Sequence, residues 1–421
     1  IIDPAAQAEL EQVVGIDRFG ASSQELGAVI KDRLLKDAPP GRPPRNVLCL
    51  SGGGSYGAYS AGVLVGWTQR GDRPCFDVVT GISTGALIAP FAFLGPAYDA
   101  QMHRFYTTLT DRDIFKKQYV RGLLGGEAFT DTGPLRKLIS DTVTPEMVAG
   151  LADAHRAGRR LILGTTEEEG RRFVVWDVGH IASRNGPGDR ELIISVMLGS
   201  AAIPGVFPPS RIDVSVDGVR HTERHGDGGV SQALFFYPPY VPPELRDRRT
   251  LNLVGTNVYV IVAGKLYADP EVINPSALAL AGKSVSTMIY AQTRGDLQRL
   301  WTFCLLNGMD YHQTAIPAEY AAAGSSGTFD PVAMTGLFEE GRRAIGSGRA
   351  WRTTPPELDP SQGELPQARW GRCLTFEPRG PQLPIAGPRG TTIPPRYPGV
   401  QPASPPGGVL SGPVSVGSGR P

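Results

Sequence analysis

The sequence predicts an α/β fold with a doubly wound, mostly parallel central sheet. An apolar strand at residues 47–50, a glycine turn and a helix at 59–69 are followed by a second strand at 76–80, a second glycine turn and a second helix. This repetition of strand, turn and helix is typical of parallel sheets covered by helices on both faces. Strands in such sheets are apolar throughout, because neither face meets water.

Further segments have the periodicity of strands or helices. Apolar and β-branched residues predict strands at 160–164, 173–177, 211–216 and 257–263, and helical spacing returns at 277–306 and 334–345. The charged residues 167–172 predict a hairpin turn with solvated side chains. Residues 45–351 are therefore expected to form one domain.

The two ends of the chain differ from this domain. Residues 1–44 are predicted to be an N-terminal helical extension, which ends in a run of prolines and glycine. Residues 352–421 are rich in proline and glycine and have no sustained apolar period, so we expect a largely disordered tail. Its proline-rich runs could bind a protein partner.

Composition excludes several classes of protein. The 421 residues include 42 Lys and Arg against 41 Asp and Glu, so the basic surplus of a nucleic-acid-binding protein is missing. A hydrophobic content of 41% excludes disorder throughout the chain. Four cysteines without a C-x-x-C pair are too few for a disulfide framework.

Three uncharged stretches, at 46–69, 78–98 and 192–210, are about as long as a membrane span, but glycines and prolines interrupt each of them. We therefore expect buried elements of a sheet, and a protein that is soluble or peripherally associated with membranes. Because the sequence begins at Ile1, we also expect that an N-terminal signal or anchor could be missing.

A candidate nucleophile follows the second strand. Residues 81–85 read Gly-Ile-Ser-Thr-Gly, a G-x-S-x-G pattern between a predicted strand and a predicted helix. In such a nucleophile elbow, glycines like Gly81 and Gly85 let the serine occupy a strained turn that exposes its hydroxyl. The context predicts Ser83 as a nucleophile.

A glycine loop, GGGSYG at residues 52–57, follows the first strand. Amides of Gly52, Gly53, Gly54 and Ser55 could converge on a developing oxyanion, and Gly57 opens the next helix. The loop also fits G-x-G-x-x-G, so a nucleotide-binding protein is the alternative. That alternative expects an acidic residue at the end of the second strand, where this chain has the serine elbow.

The candidate base is Asp227, in the sequence Asp-Gly-Gly. The two glycines, Gly228 and Gly229, permit a tight turn that brings the carboxylate toward another loop. His225 is an alternative base, and His221 with His225 forms an H-x-x-x-H pair. We expect no metal there, because the intervening residues predict a turn rather than a helix that presents both imidazoles.

The glycine loop, the serine elbow and Asp-Gly-Gly, in this order, resemble the patatin-like phospholipase family. The segment SAAIPGVFPP at residues 200–209 is similar to the stretch that precedes the aspartate in that family. The resemblance covers residues 45–351 and implies a three-layer α/β/α fold. It also implies a Ser-Asp dyad of Ser83 and Asp227 without a histidine, a metal or another cofactor.

The family resemblance implies a serine lipid acyl hydrolase that cleaves ester bonds of phospholipids or acylglycerols at a membrane or lipid surface. Phe91, Phe93 and Leu94 on the helix after the elbow are candidates for lining an acyl channel. Many relatives have Arg or Lys where this chain has Tyr56, which favours neutral esters over anionic headgroups. A catalytically silent scaffold with a recruiting tail is a further alternative.

Overall fold

The computed structural model describes residues 45–117, 128–216, 219–236, 253–269, 276–321 and 323–355. All of them belong to one compact unit within residues 1–365. The predicted N-terminal helices, and the tail from residue 356 onward, lie outside the described residues.

A large sheet forms the centre of the unit. Its path runs β10-β9-β1-β2-β5-β8-β7, and β6 pairs with β5. Strands β10, β9, β1, β2 and β5 are mutually parallel. Strands β6 and β8 pair antiparallel with β5, and β7 pairs antiparallel with β8. The strands, including the small β3-β4 pair, are β1 Asn46–Leu50, β2 Val78–Gly81, β3 Lys116–Lys117, β4 Thr130–Asp131, β5 Arg160–Glu167, β6 Arg172–Asp177, β7 Ser210–Val216, β8 Val219–Asp227, β9 Asn257–Val262 and β10 Asp310–Ala315.

Ten α-helices lie within the described part of the chain. They are α1 Gly57–Arg70, α2 Thr84–Leu94, α3 Asp99–Thr108, α4 Asp111–Ile114, α5 Gly133–Thr142, α6 Pro145–Arg156, α7 Val178–Arg184, α8 Asp189–Ser200, α9 Ala277–Leu306 and α10 Pro331–Gly346. None of these helices combines the length and the apolar character that a bilayer crossing requires.

Helices cover both faces of the sheet. Alternate residues of β1 point to opposite sides: Leu48 and Leu50 join a core with α1, α2 and α10, whereas Val47 and Cys49 join a second core with α9. Such alternation follows from the two-residue period of a strand. The predicted α/β fold with a mostly parallel sheet is confirmed.

The register of the sheet brings three loops to one edge. Leu50 at the end of β1 pairs with Gly81 at the end of β2, and with Ile261 near the end of β9. Because parallel strands end at the same edge, the glycine loop after β1 and the serine elbow after β2 are neighbours. Ligands of open α/β sheets bind at this carboxyl edge.

The prediction of a turn around residues 221–226 is wrong. These residues lie in β8, which pairs with β7 from Ser210 to Val216 and with the end of β5. The first four residues of β8, 219–222, are exposed. The segment therefore lacks the alternation of apolar and polar residues that indicates a strand with one buried face. Glu167, predicted to be solvated, is buried, and its carboxylate accepts hydrogen bonds from the amides of Glu169 and Gly170 at the β5-β6 turn.

Candidate active site

Ser83 occupies the strained turn between β2 and α2. Its backbone has φ 55° and ψ −126°, a conformation that L-residues seldom adopt. Tight packing accompanies the turn: a Cβ added to Gly85 would lie 2.5 Å from the Leu50 carbonyl oxygen. The residue precedes α2 directly, so the positive end of the helix dipole faces the serine.

The pairing of β5 explains why Ser83 and Asp227 meet. On one side of β5, β2 ends with Gly81 opposite Leu163, and β8 ends with Asp227 opposite Thr165. Two residues along a strand span about 7 Å, so the two strand ends are close neighbours. The elbow follows Gly81 directly, and the Ser83 hydroxyl lies close enough to the Asp227 carboxylate to favour its ionised form.

The carboxylate of Asp227 is buried. Its burial raises its pKa from 3.8 to about 6, while the contact with Ser83 and a hydrogen bond from the Gly229 amide at 2.7 Å lower it. The backbone of Asp227 is fixed as well, because its N–H donates to the Ala202 carbonyl at 2.8 Å. A carboxyl group with this pKa is ionised at neutral pH and is a stronger base than an exposed aspartate.

The glycine loop lies against Ser83, and its four candidate amides divide into two pairs. Gly52 N–H donates to Ala233 O at 3.2 Å and Ser55 N–H to Ser326 O at 2.9 Å, so the structure engages both of these amides internally. The hydrogen bonds of the described residues leave the N–H groups of Gly53 and Gly54 without an acceptor. These two amides are the ones available to an oxyanion.

Only glycine fits at the centre of this loop. A Cβ on Gly53 would lie 1.9 Å from the Ala263 carbonyl oxygen, and one on Gly54 would lie 2.1 Å from that of Ser326. Gly54 also has φ 55°, in the left-handed region. A Cβ on Gly52 would approach the Ser83 Cβ to 3.1 Å, which shows how closely the loop covers the serine.

His225 is engaged away from the serine. Its Nδ1 is hydrogen-bonded to the Thr165 hydroxyl at 2.9 Å and its Nε2 to the Glu223 carboxylate at 3.1 Å. The ring is buried against Trp176, and this burial lowers the pKa of the imidazole. Since both ring nitrogens have other partners, the geometry favours Asp227 over His225 as the base for Ser83.

The H-x-x-x-H pair does not form a metal site. His221 and His225 lie four residues apart on an extended strand, which separates them by about 13 Å. Among the described residues, no group of three or more His, Cys, Asp or Glu side chains could hold a metal ion.

An apolar cavity of about 410 Å³ opens beside Ser83. Gly54, Ser83 and Thr84 border one end of it, and none of the described residues in its wall is charged. The wall is contributed mostly by aliphatic and aromatic side chains, among them Leu87, Phe91, Phe105, Leu109, Ile114, Phe115, Leu135, Leu138, Ile139, Met197, Phe207, Phe329 and Met334. Such a surface suits an acyl chain and is unsuited to a dinucleotide pyrophosphate.

Of the three residues predicted to line a channel, Phe91 borders the cavity, whereas Phe93 is fully buried in the core. Leu94 packs partly buried against that core. The helix after the elbow therefore presents only one of the three side chains to the cavity.

The mouth of the cavity has an apolar lip. Phe129, Ile203 and Val206 line the cavity and yet are 43%, 36% and 41% exposed. Two hydrogen bonds join the two halves of the lip, from Phe129 N–H to Gly205 O at 3.2 Å and from the Thr130 hydroxyl to Val206 O. Three apolar side chains of the cavity wall are therefore exposed to solvent.

Tyr56, near the end of the glycine loop, is not among the described residues that line the cavity. Its hydroxyl donates to Gly324 O at 3.0 Å, and burial raises the pKa of this phenol. The residue packs at the start of α1, which agrees with a structural role at the position where many relatives have a cation.

The structure adds a buried residue to the site, Ser200, whose contacts the sequence did not indicate. Its hydroxyl accepts a hydrogen bond from Ser83 N–H at 3.0 Å and donates one to Gly164 O at 2.6 Å. The signal was present in the SAAIPGVFPP segment, but a serine before two alanines does not indicate by itself what its hydroxyl contacts.

The family model described as patatin-like phospholipase matches residues 48–239. No curated protein matches the chain significantly. At the level of the family, the match supports a lipid hydrolase.

Several solved structures are similar to the chain. VipD from Legionella pneumophila is 12% identical, with 77% of this chain and 70% of VipD covered and a TM-score of 0.35. The type III effector protein ExoU is 13% identical, with coverages of 79% and 58% and a TM-score of 0.34. Human GIVD cytosolic phospholipase A2 is 10% identical, with coverages of 76% and 52% and a TM-score of 0.32. The chain thus spans little more than half the length of the last two proteins.

The family match includes the glycine loop, the serine elbow and Asp-Gly-Gly within one continuous range. The resemblance inferred from these three motifs is therefore confirmed: residues 48–239 carry the signature of the patatin-like phospholipase family.

Proposed function

We propose that this protein is a serine lipid acyl hydrolase that cleaves carboxylic esters of phospholipids or acylglycerols through an acyl-serine intermediate. The observation that carries the proposal is the proximity of Ser83 to the buried carboxylate of Asp227, with Ser83 bordering an apolar cavity whose described wall residues carry no charge. A nucleophile, a base and a cavity for an acyl chain then lie in one place.

In the first half of the reaction, the Asp227 carboxylate accepts the proton of the Ser83 hydroxyl as its oxygen attacks the ester carbonyl. The carbonyl oxygen becomes negative, and the free amides of Gly53 and Gly54 stabilise it by hydrogen bonding. Collapse of the tetrahedral intermediate breaks the ester C–O bond. The proton on Asp227 passes to the departing alcohol, and the acyl group stays on Ser83.

In the second half, the ionised Asp227 takes a proton from water as the water oxygen attacks the acyl-serine. The same two amides bind the second oxyanion. The fatty acid leaves when the Ser83 oxygen regains the proton from Asp227, which restores the starting state.

The cavity supports a substrate with a long apolar acyl chain. Its wall has no charge among the described residues, so a phosphate would have to remain outside the mouth. The exposed apolar lip supports entry of the chain directly from a lipid surface, which involves peripheral contact rather than a membrane span. Neutral acylglycerols fit this arrangement at least as well as phospholipids.

The experiment is hydrolysis of a panel of neutral glycerides and phospholipids by the wild type, Ser83→Ala and Asp227→Asn. We expect fatty acid release by the wild type and a loss of at least about 100-fold in both variants, since each removes a reacting group. Ser60→Ala is the matched control, because this serine is equally buried but lies in α1 and its hydroxyl has no partner.

Full activity of Ser83→Ala would overturn the proposal. Inert wild-type protein that binds a nucleotide would favour the nucleotide-binding alternative, and inert protein without such binding would favour the silent scaffold.

A further inference from the structure

Ser200 connects the two halves of the candidate site. It is the last residue of α8, and its side chain is completely buried. Its hydroxyl makes two hydrogen bonds, each to another segment of the chain. It accepts one from the Ser83 amide at 3.0 Å and donates one to the Gly164 carbonyl at 2.6 Å. Neither bond is made to its own helix.

Gly164 is the residue of β5 between the end of β2 and the end of β8. Its neighbours Leu163 and Thr165 pair with Gly81 and Asp227, respectively. The Gly164 carbonyl also lies against Gly228, where an added Cβ would approach it to 2.6 Å. The Ser200 hydroxyl therefore joins the turn of the nucleophile to the strand that aligns the base.

The residues after Ser200 extend this connection. Ala202 O accepts the hydrogen bond from Asp227 N–H at 2.8 Å, and Ala201 borders the cavity. Three consecutive residues thus contact the backbone of the nucleophile, the cavity and the backbone of the base.

The turn at Ser83 needs such support. A non-glycine residue at φ 55° and ψ −126° is strained, and strain of this kind persists only where the surrounding structure fixes the backbone. The Ser83 N–H is also one of the amides at the start of α2 that have no partner within the helix. The Ser200 hydroxyl supplies that partner.

We propose that Ser200 is a positioning residue whose hydroxyl holds the Ser83 turn at the correct distance from Asp227. The inference rests on the proposed function, because it concerns the geometry of the same dyad. Ser200 is not among the described residues that line the cavity, and its hydroxyl is bonded to the amide of Ser83, so it acts through the backbone of Ser83.

Ser200→Ala removes the acceptor of the Ser83 amide while both dyad side chains keep their chemical identity. We expect the kcat for a long-chain ester, per folded molecule, to fall about 10- to 100-fold, since a displacement of about 1 Å costs this much. KM should stay unchanged, because the cavity wall is intact. The rate of Ser83 labelling by a fluorophosphonate should fall in parallel with kcat.

Tyr59→Phe is the control for a purely structural effect. It removes another buried hydrogen bond, the one between the Tyr59 and Thr314 hydroxyls at 2.8 Å, and neither residue belongs to the dyad or to the described lining of the cavity. We expect a lowered melting temperature and an unchanged kcat per folded molecule.

A second pair of variants covers the case in which Ser200→Ala does not fold. Ser200→Thr and Ser200→Val have nearly the same shape, but only threonine keeps the hydroxyl. We expect threonine to retain a kcat at least about tenfold above that of valine.

Two results would overturn the inference while the proposed function stands. One is an active wild type in which Ser200→Ala changes kcat no more than Tyr59→Phe does. The other is equal kcat in the threonine and valine variants. If the wild type itself hydrolyses no ester and Ser83 is not labelled, the proposed function fails and the inference falls with it.

Discussion

At the scale of single residues, the proposed chemistry depends on a carboxylate whose pKa is raised by burial. Burial raises the pKa of Asp227 to about 6, although the Ser83 hydroxyl and the Gly229 amide both favour the ionised form. Desolvation is thus the dominant effect. It makes Asp227 a stronger base. It also means that ionisation of the buried carboxyl group lowers the free energy of unfolding.

The pH dependence of activity follows from this pKa. Asp227 must be ionised to accept the proton of Ser83, so kcat/KM should be constant above about pH 7 and fall below about pH 6, approaching tenfold per pH unit. A pH profile with a soluble ester measures it. A plateau that continues down to pH 4.5 would contradict a base with a raised pKa.

The same pKa predicts how stability depends on pH. The pKa of Asp227 is higher in the folded protein than in the unfolded chain, so its stabilising contribution is complete below about pH 3.8 and is lost as the pH rises to about 6. Because asparagine does not ionise, the free energy of unfolding of Asp227→Asn should not decrease in this way as the pH rises. The variant should exceed the wild type in free energy of unfolding by up to about 3 kcal/mol at pH 8, and by less at pH 4.5.

Urea unfolding at both pH values tests the prediction. Equal differences between variant and wild type at the two pH values would show that the carboxyl group is not titrating in a buried site.

At the scale of elements, the two glycine turns and their flanking strands could be predicted because their signals are local. An apolar strand followed by GGGSYG or GISTG specifies a turn wherever it occurs. Strand β8 could not be predicted in this way, because its residues Val219–Asp227 are mostly polar and gain their strand pairing from β7 and β5. The role of Ser200 was hidden for the same reason, since its partners lie 117 and 36 residues away.

The glycine loop gives a prediction at this scale. Gly54→Ala places a Cβ in a backbone conformation with φ 55°, 2.1 Å from the Ser326 carbonyl oxygen, so the loop must shift. Because displaced amides no longer meet the oxyanion, we expect kcat to fall about 100-fold or more.

Gly282→Ala in α9 is the matched control. A Cβ there meets open space, so kcat should be unchanged and the protein should gain up to about 1 kcal/mol of stability. Equal kcat values for Gly54→Ala and Gly282→Ala would contradict the assignment of the loop.

At the scale of the whole molecule, the cavity is a property of the tertiary fold. Its wall draws on segments from Gly54 to Met334, including the short helices after α2. No periodicity indicates which apolar residues of such segments face a cavity and which face the core, as the different positions of Phe91 and Phe93 illustrate. The positions of the two glycine turns could be predicted from the sequence and the dyad stays a prediction, whereas the cavity became visible only in the structure.

Filling the cavity should change chain-length selectivity. Leu138 on α5 is half-buried and borders the cavity, so Leu138→Trp shortens the space for an acyl chain. We expect the ratio of kcat/KM for long-chain to short-chain esters to fall about tenfold or more.

Leu192→Trp on α8 is the control, because Leu192 is also half-buried but is not among the described residues that line the cavity. An unchanged chain-length ratio in Leu138→Trp, or an equal fall in both variants, would argue against this cavity as the acyl site.

The central claim is that the Ser83 oxygen is the nucleophile and Asp227 its base. Intact-mass spectrometry after fluorophosphonate treatment tests it, with peptide mapping of the adduct in the wild type, Ser83→Ala and Asp227→Asn. We expect one adduct per wild-type molecule, located on Ser83, absent from Ser83→Ala and formed much more slowly in Asp227→Asn. An adduct on another residue, or labelling of Ser83→Ala at the wild-type rate, would contradict it.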